Sequence, residues 1–217
     1  MQSYKVVSII FDMDGVITDT MLYHFKAWQQ VFLKAGIKVN FNDIYKREGQ
    51  KGIESVREIF KEHGVVFKES LANELLLKKE EFFKRIFRRK YILGSRPFIR
   101  NLSKQGFRLA LVTGTSRHEA ERLLPASIWN LFEVTVCGSD VANGKPHPEP
   151  YLKALQKLSI HPSQALVIEN APFGIRSAKA AGIKCVAIAT SLPKTYLVQA
   201  DCIVNSFAEL KQTVTIK

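Results

Sequence analysis

Phe11-Asp12-Met13-Asp14-Gly15-Val16-Ile17-Thr18-Asp19-Thr20 is the stretch that decides the fold. The run before it, Val6 to Phe11, is short, almost wholly apolar and rich in Val and Ile, which predicts a strand. Two carboxylates, Asp12 and Asp14, stand just beyond its end. In an open parallel sheet, ligands bind outside the carboxyl ends of the strands. Two carboxylates crowded at that edge are costly unless something uses their charge. A hard cation does so, since magnesium takes oxygen ligands and usually keeps waters. Gly15 allows a sharp turn next to a ligand. The competing reading is a pair of loop aspartates that cap a helix.

Working outward, five more short apolar runs read as strands: Leu109 to Val112, Val134 to Cys137, Ala165 to Ile168, Cys185 to Ala189 and Cys202 to Val204. Most are apolar almost throughout, as strands covered on both faces are. Amphipathic stretches separate them, including Pro97 to Gln105, Pro148 to Leu158 and Ile175 to Ala181. The alternation implies an α/β fold with a Rossmann-like parallel sheet. Residues 18–93 break the rhythm. Met21 to Ala35, Ile53 to His63 and Leu71 to Lys90 have helical spacing, and no strand stands out among them. The expected organisation is a core of residues 1–17 and 94–217 with an inserted helical cap of residues 18–93. Two chain crossings between the bodies suggest a lid that excludes water during chemistry.

Three further strand ends carry chemistry. Thr113-Gly114-Thr115-Ser116 sets a hydroxyl before a glycine at a strand-to-helix turn, where Oγ–H and backbone N–H groups can hold a phosphate. The alternative is an ordinary helix cap by Thr115 or Ser116. Gly144-Lys145-Pro146-His147-Pro148 places Lys145 in a rigid turn, where it can neutralise both phosphate and nucleophile; the alternative is an exposed loop lysine. Glu169-Asn170 offers oxygen ligands to the same cation, or else caps a helix.

Asp12-x-Asp14-Gly15, then Thr113, then Lys145, then Glu169-Asn170 resembles the four signature motifs of the haloacid dehalogenase superfamily, in order and each after a predicted strand. The insertion resembles the helical cap of the β-phosphoglucomutase and phosphoglycolate phosphatase branch. The resemblance implies that Asp12 attacks phosphorus and that Asp14 serves as acid and then base. It also implies that Thr113, Gly114 and Thr115 hold phosphoryl oxygens and that Lys145 balances charge. Magnesium would be bound by Asp12, Asp14 (through its backbone carbonyl), Glu169 and Asn170. A cap that dries the site is expected to raise the pKa of Asp14.

Two departures matter. The branch has Asp where this chain has Asn170, so the metal site loses one formal negative charge, and weaker magnesium binding is expected. Asp19-Thr20-x-x-Tyr23-His24 resembles the start of the mutase cap, with His24 near the acid/base aspartate and the substrate. The mutases, however, also carry a cap-loop arginine that grips the second phosphate. Here the loop reads Gly49-Gln50-Lys51-Gly52, with Lys51 or Arg47 as the available cations. A phosphatase acting on a small, sugar phosphate-like phosphorylated metabolite is therefore favoured over a β-phosphoglucomutase-like mutase. An anion-binding regulatory protein on the same scaffold is the reading from another class.

Composition sets the bounds. The 217 residues are 46% hydrophobic, enough for one domain with an insertion. No apolar run approaches the roughly 20 residues of a membrane span. Cys137, Cys185 and Cys202 lack metal-ligand spacing and read as reduced core thiols, which points to the cytoplasm. The net charge of +12 attracts anions. The basic cluster from Lys78 to Lys90, including Lys79, nevertheless reads as a solvated helix face, and no nucleic-acid motif accompanies it. A monomer is expected by analogy with the branch.

Overall fold

The computed structural model describes residues 2–217. The chain opens with β1 (Gln2–Tyr4) and β2 (Ser8–Phe11), followed by α1 (Met21–Lys34), α2 (Phe41–Tyr45), α3 (Gly52–Glu62) and α4 (Glu69–Ile86). It continues with α5 (Ser95–Lys104), β3 (Arg108–Val112), α6 (Arg117–Leu123), α7 (Ala126–Trp129), β4 (Val134–Val136) and α8 (Glu149–Leu158). The last third holds β5 (Ala165–Glu169), α9 (Pro172–Ala180), β6 (Lys184–Ile188), β7 (Cys202–Val204), α10 (Phe207–Thr213) and β8 (Val214–Ile216). Six strands form one parallel sheet in the order β4-β3-β2-β5-β6-β7. The short terminal strands β1 and β8 pair only with each other, in parallel.

The apolar runs are continuous because successive side chains feed opposite faces of the sheet. On β2, Ile9 and Phe11 enter one cluster and Ile10 the other; β3 divides the same way, with Leu109 and Leu111 opposite Ala110 and Val112. Phe98 and Leu102 of α5 and Phe207 of α10 cover the first face. Tyr151 and Leu155 of α8 and Ile175 of α9 cover the second. Each such buried side chain contributes about 1.5–3 kcal/mol, so β2, fully buried at the sheet centre, is a rigid base for the residues that follow it.

Helices α1 to α4 pack on one another around a third cluster that includes Phe25, Phe32, Ile59, Phe60 and Leu75. The chain passes between this helical cap and the sheet at two adjacent crossings. The amide of Asp19 donates to the Lys90 carbonyl (2.9 Å), and the amide of Ile92 donates to the Ile17 carbonyl (3.0 Å). On α4, Lys78 and Lys84 pair with Glu74 and Glu80 one turn away, so part of the basic cluster is a paired helix face. Lys79 departs from that expectation: its Nζ lies over the Trp28 and Phe83 rings, 5.6 and 5.3 Å from their centroids, and it lines a cavity between the helices and the sheet. The three cysteines are free, with Cys137 and Cys185 buried. Among the described residues, no helix is long and apolar enough to cross a membrane.

Candidate active site

The register gathers the motifs. Phe11 is level with Leu111 on β3 and with Ile168 on β5, so Asp12, Val112 and Glu169 end neighbouring strands at one edge. The chain order turns back here, with β3 on one side of β2 and β5 on the other, which is where such sheets open a crevice. After Asp12 the chain makes a tight loop: the Gly15 amide donates to the Thr18 carbonyl (2.7 Å) and the Ile17 amide to the Met13 carbonyl (2.8 Å). Gly15 has φ +83°, and a Cβ there would stand 2.1 Å from Asn170 Nδ2, so both the backbone and the space require glycine.

Lys145 is 1% exposed, which removes the exposed-loop reading. Its ammonium donates to Asp12 Oδ1 (2.6 Å), Glu169 Oε1 (2.7 Å) and the Val112 carbonyl (3.2 Å). Burial works against that charge, yet the two carboxylates hold the lysine above its ordinary pKa. Burial pushes the Asp12 carboxyl well above the carboxylate range, with Lys145 opposing and Glu169 and Asp14 adding to the rise. Tyr151, which no sequence signal singled out, donates to Glu169 Oε1 (3.0 Å). Glu169 Oε2 accepts the amides of Asn170 (2.8 Å) and Ala171 (3.2 Å). Glu169 was expected as a metal ligand; each of its oxygens here accepts two hydrogen bonds, and it positions Lys145.

The unpartnered buried oxygens are elsewhere. Asp12 Oδ2 and Asn170 Oδ1 have no hydrogen-bond partner. The Asn170 amide nitrogen donates to Ser191 Oγ (3.0 Å), which fixes the carbonyl end of the side chain. Asn170 does not cap α9, whose N-cap is Ala171. No group of three or more His, Cys, Asp and Glu side chains suited to a metal occurs among the described residues. A site here would draw on mixed oxygen donors, carboxylate, amide and backbone carbonyl. That donor set fits magnesium, which keeps several waters.

Asp14 differs from expectation. Its Oδ1 accepts from Thr20 (2.5 Å) and Thr18 (3.3 Å) and lies 3.3 Å from His24 Nε2. Its Oδ2 accepts from Thr115 Oγ1 (3.0 Å). Burial raises its pKa, but His24, Thr20 and Thr115 outweigh burial and bring it down to about 2. The expected upward shift is thus reversed, because the donors favour the charged form. His24 is held by stacking on Phe83 (centroids 4.4 Å, 18° between planes), which places a cap histidine against a core aspartate. His24→Phe is expected to raise the Asp14 pKa from about 2 toward the ordinary value. The stability carried by the Asp14 carboxylate is present above the unfolded pKa of about 3.9 and lost as pH falls through the folded value; the variant loses this contribution. Carbon-13 NMR titration of the Asp14 carboxyl is the measurement, and an unmoved midpoint would rule out His24 as the cause.

Thr113 Oγ1 accepts the Thr115 amide (3.1 Å), so its proton is available to another acceptor. Thr115, expected at the phosphate, donates its Oγ1 proton to Asp14. Ser116 takes the N-cap position of α6 without a side-chain cap bond. The cap loop presses on this turn: a Cβ at Gly114 would lie 2.5 Å from the Gly49 carbonyl oxygen, so the close approach requires glycine. Neither cap-loop cation is free to grip a substrate. Lys51 donates to the Val141 and Ala142 carbonyls of the core, and Arg47 is bound to Glu58, Glu62 and the Asp43 carbonyl. Lys51, proposed from the sequence as a phosphate contact, joins cap to core. Between the two bodies lies a cavity of about 340 Å³, lined by His24, Trp28, Glu48, Lys79 and Gly114 among others.

The profile of haloacid dehalogenase-like hydrolases matches residues 9–188. The chain belongs to that family. A phosphorylated carbohydrates phosphatase of Thermotoga maritima is 35% identical over 186 residues, 82% of each chain. The β-phosphoglucomutase of Bacillus subtilis is 28% identical over 209 residues, covering 94% of this chain and 91% of the mutase. The solved structure of a putative β-phosphoglucomutase from Bacteroides vulgatus superposes with TM-score 0.87 at 29% identity, over 97% of this chain and 89% of the other.

Proposed function

We propose that the chain is a magnesium-dependent phosphatase that hydrolyses a small, sugar phosphate-like metabolite through an aspartyl phosphate on Asp12. One observation carries the reading. Asp12 is buried with Oδ1 fixed by Lys145, which also bonds the Val112 carbonyl just before the Thr113 turn, and with Oδ2 unpartnered. A carboxylate held by one oxygen and free at the other is oriented for in-line attack. The likeness to a phosphorylated carbohydrates phosphatase supports the substrate class.

In this mechanism Thr113 Oγ and the backbone N–H groups of the turn hold the phosphoryl oxygens, and Lys145 offsets the charge that builds up around Asp12. Asp14 protonates the leaving oxygen and then takes a proton from the attacking water. In the closed arrangement Asp14 is bound as a carboxylate by Thr20, Thr115 and His24, so its protonation requires those bonds to loosen. Asn170 Oδ1 and the Asp14 backbone carbonyl, together with the Asp12 carboxylate, would hold magnesium, which when bound neutralises phosphoryl charge. Asn170→Asp restores a formal charge, and the magnesium concentration for half-maximal activity is expected to fall on the order of 10-fold. An unchanged requirement would remove Asn170 from the metal site.

A mutase reading is favoured by the named relatives. It is opposed by the engagement of Lys51 and Arg47, which leaves the cap loop without a grip for a second phosphate. The test is incubation with magnesium and a panel of phosphorylated metabolites that includes β-glucose 1-phosphate. Phosphate release supports the phosphatase; conversion to glucose 6-phosphate without release overturns it.

A further inference from the structure

One carboxylate oxygen on the wall of the cavity between cap and core has no partner among the described residues. Glu119 of α6 is 8% exposed, lines the cavity beside Thr115 and Ser116, and its Oε1 is buried without a hydrogen-bond partner. Among the described residues it forms no ion pair either. It also borders an adjoining cavity lined by Lys84, Arg89 and Arg122, but Lys84 pairs with Glu80 (3.9 Å), the Arg89 guanidinium donates to the Arg122 carbonyl (2.7 Å), and none of the three forms an ion pair with Glu119. A buried acceptor left unpaired destabilises the protein, and Glu119 acquires a purpose if a ligand supplies the donor. A second carboxylate, Glu48 of the cap, lines the same cavity. Burial raises its pKa, with His24 and Lys79 opposing and Asp14 adding to the rise. The wall of this cavity therefore presents two carboxylates outside ion pairs, alongside Lys79, while Arg47 and Lys51 are engaged elsewhere. Hydroxyl groups of a leaving group would meet acceptors there.

We propose that Glu119 is a specificity-determining residue. Its unpartnered oxygen accepts a hydrogen bond from a hydroxyl of the leaving group, selecting monophosphates of neutral polyols or sugars over those of apolar alcohols. This deepens the phosphatase reading and rests on the phosphate site at Asp12. The test uses binding, so it does not depend on turnover. The full-length Asp12→Asn protein with magnesium is titrated calorimetrically with two matched pairs, glycerol 3-phosphate against propyl phosphate and β-glucose 1-phosphate against cyclohexyl phosphate, and with inorganic phosphate. In at least one pair the hydroxylated ligand is expected to bind about 10-fold tighter. Adding Glu119→Met, which conserves size, is expected to erase that preference and leave inorganic phosphate affinity unchanged. Its unfolding midpoint is expected to rise by about 2–4 °C, since an unpaired buried acceptor is removed. Equal affinities within both pairs, or a preference that survives Glu119→Met, would overturn the proposal and leave water as the partner of Glu119. Failure of inorganic phosphate to bind would instead overturn the phosphate site itself.

Discussion

Asp12→Asn is expected to lower phosphate release by at least about 10⁴-fold, while a phosphorylated ligand still binds. Asparagine keeps the shape of the side chain, so the central strand and the turn after it have no reason to move. What changes is chemistry. An amide oxygen is a poor nucleophile toward phosphorus, and it bears no charge for Lys145 to orient. In the parent, Lys145 holds Oδ1 at 2.6 Å and leaves Oδ2 free, and the lone pairs of that free oxygen are what the proposed first step uses. The measurement is phosphate release with magnesium across the substrate panel, joined to mass spectrometry of acid-quenched parent enzyme for a phosphoryl group on the peptide that contains Asp12. A variant within about 10-fold of the parent would end the covalent mechanism, because a site that hydrolyses its substrate without Asp12 must bring water directly to phosphorus.

The parallel sheet and its catalytic edge were legible because their signals are local. Apolar runs of four to six residues that end in Asp12, Thr113 and Glu169 name both a strand and what stands at its end. The strands β1 and β8 were not legible: each has three residues, and each exists only by pairing with the other from the far end of the chain. The helices α2 and α7, of five and four residues, are too short to show a period. The roles that sequence missed or reversed all depend on the cap closing over the core. Asp14 is driven down because His24 on α1 and Thr115 beyond β3 converge on it. Lys51 sits in the loop where a clamp was sought, yet its side chain reaches carbonyls 90 and 91 positions away. Tyr151 reads as an ordinary apolar position of α8, and only the depth of Glu169 gives its hydroxyl a partner.

Lys145→Met separates the structural part of this site from its chemistry. Methionine has a similar length, so the packing of the buried stem is largely kept, and the loss is the charge shared by Asp12 and Glu169. Removing one member of a buried ionic group leaves the others uncompensated, which costs about 3–5 kcal/mol. For a chain of this size each kcal/mol moves the unfolding midpoint by about 2–4 °C, so a fall of roughly 6–20 °C is expected. The pH dependence has a definite sign. Burial already raises the folded pKa of Asp12, and without Lys145 it rises further. A group with a raised folded pKa contributes stability that is fully present below its unfolded pKa and lost as pH rises through the folded value. The gap between variant and parent should therefore stay constant while Asp12 is protonated in both folded proteins and widen only as pH rises through the raised folded pKa of the parent. Magnesium should narrow the gap, since a cation bound beside Asp12 supplies charge next to the carboxylate that lost its lysine. Thermal unfolding of both proteins at several pH values, with and without magnesium, reads all three effects. A loss that does not vary with pH would trace the instability to packing of the lysine stem, because only a charge imbalance is relieved by protons.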